Sequence, residues 1–352
     1  MRWLDTVSPA CVLLISCCAL AQHPPAQQPP IDDSAPVPVI HVSSELVLLD
    51  ALVADKKTGQ LLTTLKVDDF TLEEDGVPQK IQYFSQDKLP LSIVLLFDLT
   101  ESVQPQLKSL GAGALQVLGH LKPEDEVSVM TFSSSAQMLQ PFTTDHQAVA
   151  AAIQQAAKSK SHEGTFLDEV VYEGVEAAMQ STIPGSRRVL VFFTDGTEND
   201  ANGLTRKIYG RSAPAKLHKS SEAKQRLFQT GVTVSALIDR PIADDALIAL
   251  TMANPLSYAF GIISARMDHV AHLAADTGGP VLHTNGKQAA IKLAALIEEL
   301  RSRYTMGYMP SASHPAGTFC HITLKLTPGA LAAHPELQHG HYAVQARAGY
   351  YR

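Results

Sequence analysis

The sequence predicts an α/β protein: a doubly wound, mostly parallel sheet inserted in a small all-β, sandwich-like domain formed by both chain ends. Three observations lead there. Unbroken apolar runs such as Ser92-Ile93-Val94-Leu95-Leu96-Phe97 and Val189-Leu190-Val191-Phe192-Phe193 alternate with helical patterns through the middle of the chain. Such runs read as parallel strands buried on both faces. Short alternating segments at 69–84, 318–326 and 341–348 flank that middle on either side, with turn residues between them. The first flank alone, about 50 residues, is small for a core of its own, so the rest of that core is expected from the other end of the chain.

The elements follow in order. Residues 1–21 carry Arg2, an apolar stretch and an Ala19-x-Ala21 end, the pattern of a secretory signal cleaved before Gln22. A rival reading takes Leu14-Ile15-Ser16-Cys17 as a lipoprotein box, with a lipid anchor on Cys17. The stretch is too short for a spanning helix. The mature chain is therefore expected to be exported, periplasmic, outer-envelope or secreted, with no membrane-spanning helix. Residues 22–38, rich in Pro and Gln, read as a tether. Residues 39–90 form the N-terminal β segment, with strand signals at 39–42, 46–55, 69–73 and a return strand at 79–84. In the central domain, 91–303, strands are expected at 126–132, 136–142, 187–194, 232–238 and 280–283. Helices are expected at 104–121, from 145, from 165, at 221–230, 269–276 and 287–303. Two long insertions, 197–219 and 241–266, interrupt the pattern. The C-terminal β segment, 304–352, should pair with 39–90.

Composition bounds the function. The chain has 352 residues, 45% of them hydrophobic, and a formal charge of -7. No Lys/Arg cluster reads as a nucleic-acid footprint, and the sign is wrong for a phosphate backbone. Of four cysteines, only Cys320 would remain after cleavage, so no internal disulfide is expected. Alternation puts Cys320 on the face of Ile322 and Leu324, as a buried core thiol. Among the 14 histidines, His334, His339 and His341 read as a solvated loop, and His269 with His272 as a helix surface. Neither set has ligand spacing for zinc.

The chemistry gathers in three separated pieces: Asp98-Leu99-Thr100-Glu101-Ser102, Thr165, and Asp195-Gly196. Asp98 and Asp195 each end an apolar strand, and ligands of open α/β sheets bind beyond the strands' carboxyl ends. Two acids and three hydroxyls meeting there make an oxygen-only nest for a small hard cation, Mg²⁺ before Mn²⁺ or Ca²⁺.

Asp98-x-Thr100-x-Ser102, Thr165 (in Glu163-Gly164-Thr165) and Asp195-Gly196 resemble the metal-ion-dependent adhesion site of von Willebrand factor type A domains over residues 91–300. The usual first motif is Asp-x-Ser-x-Ser; Thr100 in its first hydroxyl place implies weakened or re-tuned binding. The flanks, Asp69 to Ile81, Tyr304 to Pro310 and Val344 to Tyr351, resemble those of an exported, type A-related bacterial family common in acidobacteria. The resemblance implies metal ligands Asp98, Thr100, Ser102, Thr165 and Asp195. Thr100 and Ser102 would bind directly, Thr165 directly or through water, and the two acids mainly through waters. It also implies a protein or peptide partner that offers Asp or Glu to the ion. Type A domains can couple the threonine loop to their last helix, here 287–303.

Other functions fit less well. Asp98 stands where haloacid dehalogenase-like phosphatases keep an aspartyl nucleophile, yet their second acid, two residues on, is here Thr100. A Gly-rich phosphate loop with Lys, a nucleophile elbow and an HExxH motif are all missing from the sequence. The expectation is a binding protein rather than an enzyme. The alternative is an envelope assembly module that uses its β-sandwich, with a stabilising or empty metal site.

Overall fold

The computed structural model describes residues 46–56, 59–86, 89–161, 165–196, 218–239, 269–284, 288–334, 337 and 342–352. The expected signal segment, tether and first strand signals at 39–42 lie outside the described residues. So do the two insertions, apart from His218 and Lys219, and the histidines 339 and 341.

Four strands come first: β1 (Val47–Asp55), β2 (Phe70–Glu74), β3 (Val77–Gln79) and β4 (Ile81–Ser85). The central domain adds β5 (Leu91–Asp98), α1 (Gln104–Leu118), β6 (Glu126–Phe132), β7 (Ala136–Thr143), α2 (His146–Ala156), α3 (Leu167–Ala178) and β8 (Arg187–Thr194). It continues with α4 (Ser220–Thr230), β9 (Thr233–Ile238), α5 (His269–Thr277), β10 (Val281–His283) and α6 (Ala289–Arg301). The chain closes with β11 (Tyr304–Tyr308), β12 (Phe319–Leu326), α7 (Pro328–Ala333), β13 (Tyr342–Ala346) and β14 (Gly349–Tyr351).

The central sheet has the order β10-β9-β8-β5-β6-β7. Its pairs are parallel except β6 with β7. Every residue of β5 is buried, because both faces of the sheet are covered. Ile93, Leu95 and Phe97 pack with α1, α2 and α6 through Leu107, Ile153 and Leu296. Val94 and Leu96 face the other way, onto α3, α4 and α5 through Val170, Leu227 and Leu273. Local signals set the helix ends. The Asp145 carboxylate accepts the Gln147 amide at 2.9 Å and caps α2, and Gly231 stops α4 at φ 71°. Gly111, inside α1, is the contact with α2: a Cβ there would sit 3.2 Å from that of Ala157.

The two chain ends build two antiparallel sheets, β13-β1-β11-β4 and β14-β12-β2-β3. Their inner faces share one core: Leu49 and Val53 of β1, Phe70 and Leu72 of β2, Tyr304, Met306 and Tyr308 of β11, Ile322 and Leu326 of β12. The observed fold class is thus the expected one, a mostly parallel sheet with helices on both faces, set between antiparallel strands from both ends.

Two strands differ from expectation. The return strand read at 79–84 is two strands in two sheets. Residues 77–79 pair with β2, and the chain crosses at Lys80 so that 81–85 pair with β11. Pro78 marks the reason: it sits on β3, an edge strand, where a missing N–H is tolerated. Of the alternating stretch 341–348, residues 342–346 form β13 and pair with β1, while β14, beyond that stretch, pairs with β12. Arg347 turns between them, its Nη2 donating to Phe228 O at 2.7 Å.

Buried arginines join the layers. Arg187 Nε donates to Asp50 Oδ2 at 2.7 Å, and its Nη1 to Leu300 O at 2.7 Å. Burial alone would raise the Asp50 carboxyl, yet the Arg187 guanidinium holds it below the usual range. Arg301 Nη2 meets Asp125 Oδ2 at 2.6 Å, both groups fully enclosed. Arg303 Nη2 donates to Gly278 O at 2.6 Å; burial lowers this guanidinium to about 10.

Candidate metal centre

The chain after β5 runs to α1 on one face of the central sheet, and the chain after β8 leads to α4 on the other. Since β5 and β8 are neighbours, their carboxyl ends mark the switch point, the crevice position where α/β sheets take ligands. Asp98 is the last residue of β5, and Asp195 follows the last residue of β8.

Asp98 is fully buried. Its Oδ1 accepts the Thr100 amide at 2.9 Å, a tight local turn, and its Oδ2 accepts the Thr194 hydroxyl at 2.9 Å. Burial pushes its carboxyl up to about 6 despite these donors, with the Asp195 charge adding to the rise. Ser102, exposed in the turn before α1, donates to Asp195 Oδ2 at 2.6 Å. The Thr100 and Ser102 hydroxyl oxygens lie 3.2 Å apart. Four of the five expected residues, Asp98, Thr100, Ser102 and Asp195, therefore form one connected set.

Thr165 arrives by another route. Ser161 N donates to Leu99 O at 3.1 Å, and Phe166 N donates to Ser133 O at 3.3 Å. Leu99 N in turn bonds Phe132 O at 3.0 Å. Ser161 and Phe166 are thus both pinned around the ends of β5 and β6. Thr165 is buried, and its Oγ1 has no hydrogen-bond partner among the described residues. A buried hydroxyl without a partner is costly. A cation among these oxygens would satisfy it, and the donor set of carboxylates and hydroxyls with no nitrogen or sulfur suits a hard ion such as Mg²⁺.

Two residues join the site that the sequence reading left out. Thr194 holds the buried Asp98 oxygen and also accepts the Gly196 amide at 3.1 Å. Asp239 follows β9 and donates its amide to Thr194 O at 3.0 Å. Its carboxyl is pushed up by burial and then by the Asp195 charge. The signal for Asp239 was present: it is an acid directly after a central apolar strand, as Asp98 and Asp195 are. Nothing local distinguished Thr194 from an ordinary strand residue.

Among solved structures, the chain is similar to the hypothetical protein BatB of Bacteroides thetaiotaomicron, at 15% identity and a TM-score of 0.40, covering 60% of this chain and 98% of that one. It is similar to the vWF domain of the type V pili tip protein Mfa5 from Porphyromonas gingivalis, at 11% and 0.40, covering 60% and 95%. A von Willebrand factor type A protein from Catenulispora acidiphila matches at 9% and 0.41, covering 82% and 75%. No curated protein matches the chain. The family model of the von Willebrand factor type A domain matches residues 93–198. The stretch running from β5 to the end of β8, which builds this crevice, is a von Willebrand factor type A domain.

Proposed function

We propose that this protein is a binding module that recognises an acidic group on a protein or peptide through a divalent cation at the crevice. Asp98, Thr100, Ser102, Thr165 and Asp195 would hold the ion, Mg²⁺ before Mn²⁺ or Ca²⁺. When bound, the ion supplies a positive charge at the mouth of an otherwise acidic crevice. The chain's own residues do the rest. Thr194 and the Thr100 amide fix the Asp98 carboxylate, and Asp195 orients the Ser102 hydroxyl. Hydroxyl oxygens carry no net charge, so they leave most of a cation's charge available to a partner's carboxylate. Without an ion, the buried Asp98 and the neighbouring Asp195 and Asp239 would repel that carboxylate.

The observation that supports this reading best is the Thr165 hydroxyl, buried beside the ends of β5 and β6 and without a hydrogen-bond partner among the described residues. The reading is of a binder rather than an enzyme, since Thr100 stands where haloacid dehalogenase-like phosphatases keep their second acid.

Titration calorimetry of the whole chain with Mg²⁺ and Mn²⁺ tests the ion. One site per chain is expected, and it should vanish in Asp98→Ala while the circular dichroism spectrum is kept. A pull-down from envelope extracts tests the partner. Partners retained equally with chelator, or by Asp98→Ala, would show that recognition does not use the crevice.

A further inference from the structure

We infer that the β-sandwich carries a second, separate metal site, for a thiophilic divalent ion such as Zn²⁺, formed by Glu74, His314 and Cys320. Their ligand atoms lie within 4.8 Å of one another. The three residues come from distant stretches of the chain. Glu74 ends β2, Cys320 lies on β12, and His314 stands on the loop that joins β11 to β12. Glu74 pairs with Ile322 across the sheet, so Cys320, two residues along and on the same face, is its diagonal neighbour.

The Glu74 carboxylate is the telling group. It is 2% exposed. Its Oε2 accepts the hydroxyls of Tyr308 and Tyr350, the latter at 3.1 Å. Its Oε1 has no hydrogen-bond partner among the described residues and lies 3.7 Å from His314 Nε2. Two donors sharing a tetrahedral zinc ion at bond lengths of about 2.1 Å stand about 3.4 Å apart, close to that separation. The two phenols resemble the outer hydrogen bonds that orient a ligating carboxylate. Glu74 thus presents one anchored oxygen and one open oxygen, the open one toward an imidazole and a thiol. Asp75, whose Oδ2 is 3.6 Å from His314 Nε2, or a water would complete four ligands.

Burial and the Glu74 charge push the Cys320 thiol up. On binding, the Cys320 S–H bond breaks, its proton passes to solvent, and a sulfur–metal bond forms with no change of oxidation state. Sulfur and imidazole donors select zinc, cobalt or copper over magnesium. The two sites of the molecule therefore call for different ions.

Cobalt reports on both thiolate and geometry. Full-length wild-type protein titrated with Co²⁺ is expected to show a near-ultraviolet thiolate-to-cobalt band that saturates at one equivalent and is displaced by Zn²⁺. Asp98→Ala, which removes the other site, should keep the band. Cys320→Ser should lose it, and Tyr350→Phe should weaken cobalt affinity about tenfold. A folded wild-type protein without the band overturns the proposal, as does an equal band in Cys320→Ser. Should Cys320→Ser fail to fold, His314→Ala decides, because His314 lies on a part-exposed loop. Unchanged cobalt affinity in His314→Ala would leave only a hydrogen-bonded buried acid.

Discussion

Glu126 and Asp98 lie at opposite ends of the central sheet, Glu126 opposite Ser92 and Asp98 opposite Phe132. Burial raises both, but the outcomes differ. Asp98 ends high, at about 6. For Glu126 the hydroxyls of Ser181, Ser92 and Thr182 outweigh burial and hold the carboxyl below the usual glutamate range. Ser92 Oγ and Thr182 Oγ1 each donate to it at 2.8 Å. A depressed folded value means the unfolded chain takes up the proton first as pH falls. The stabilisation is therefore full above the unfolded value, about 4.3, and is lost as pH drops through the folded one. Glu126→Gln should cost about 1.5–3 kcal/mol at pH 7, the range for hydrogen bonds to a charged group. Urea unfolding at pH 7 and pH 3 checks this, and the gap to wild type should shrink at pH 3. Residues of this kind were only partly legible in advance. Asp98, Thr100, Ser102 and Asp195 could be read because strand ends and close spacing are local features. Glu74 falls between the strands expected at 69–73 and 79–84, and Cys320 read as a lone core thiol. Nothing in their neighbourhoods says that β12 brings them together.

Elements were legible where period and caps agreed, as in β5, α2 and α4. They were misread where one alternating run serves two sheets. The run 79–84 reads as one return strand, so only the pairing partners, β2 against β11, reveal the break at Lys80. Thr277-Gly278-Gly279 follows the helix expected at 269–276, and it does more than end it. Gly278 has φ 76°, and a Cβ on Gly279 would stand 1.8 Å from Val234 O. Ala348 N also reaches Asp276 O at 2.7 Å here, so α5 ends pressed against β9 and the C-terminal strands at once. Gly279→Ala should therefore cost about 3 kcal/mol or more. Gly113→Ala, inside α1 and 3.3 Å from Ala290 Cβ, should stay within about 1 kcal/mol of wild type. Equal midpoints for the two variants in urea would contradict the close approach.

Residues 44–352 form one compact unit, although they hold three sheets. Arg187 and Arg303 support that unity, since each bonds both parts: Arg187 reaches Asp50 and Leu300 O, and Arg303 reaches Gly278 O and Gln345 O. Scanning calorimetry of the whole chain should show a single endotherm, and two resolved peaks would mean that the sandwich and the central domain melt apart. Arg187 also touches both places where the chain passes between them. Its amide donates to Pro90 O at 2.8 Å, just before β5, and its Nη1 to Leu300 O near the end of α6. These crossings flank the amino end of β5, whereas the crevice caps its carboxyl end, roughly 23 Å away at 3.3 Å per residue. A tensile load applied at the crevice is therefore transmitted along the strands and divided between two peptide backbones, one held by the Arg187 amide and the other by its guanidinium. A domain hung from a single linker would carry the same load on one.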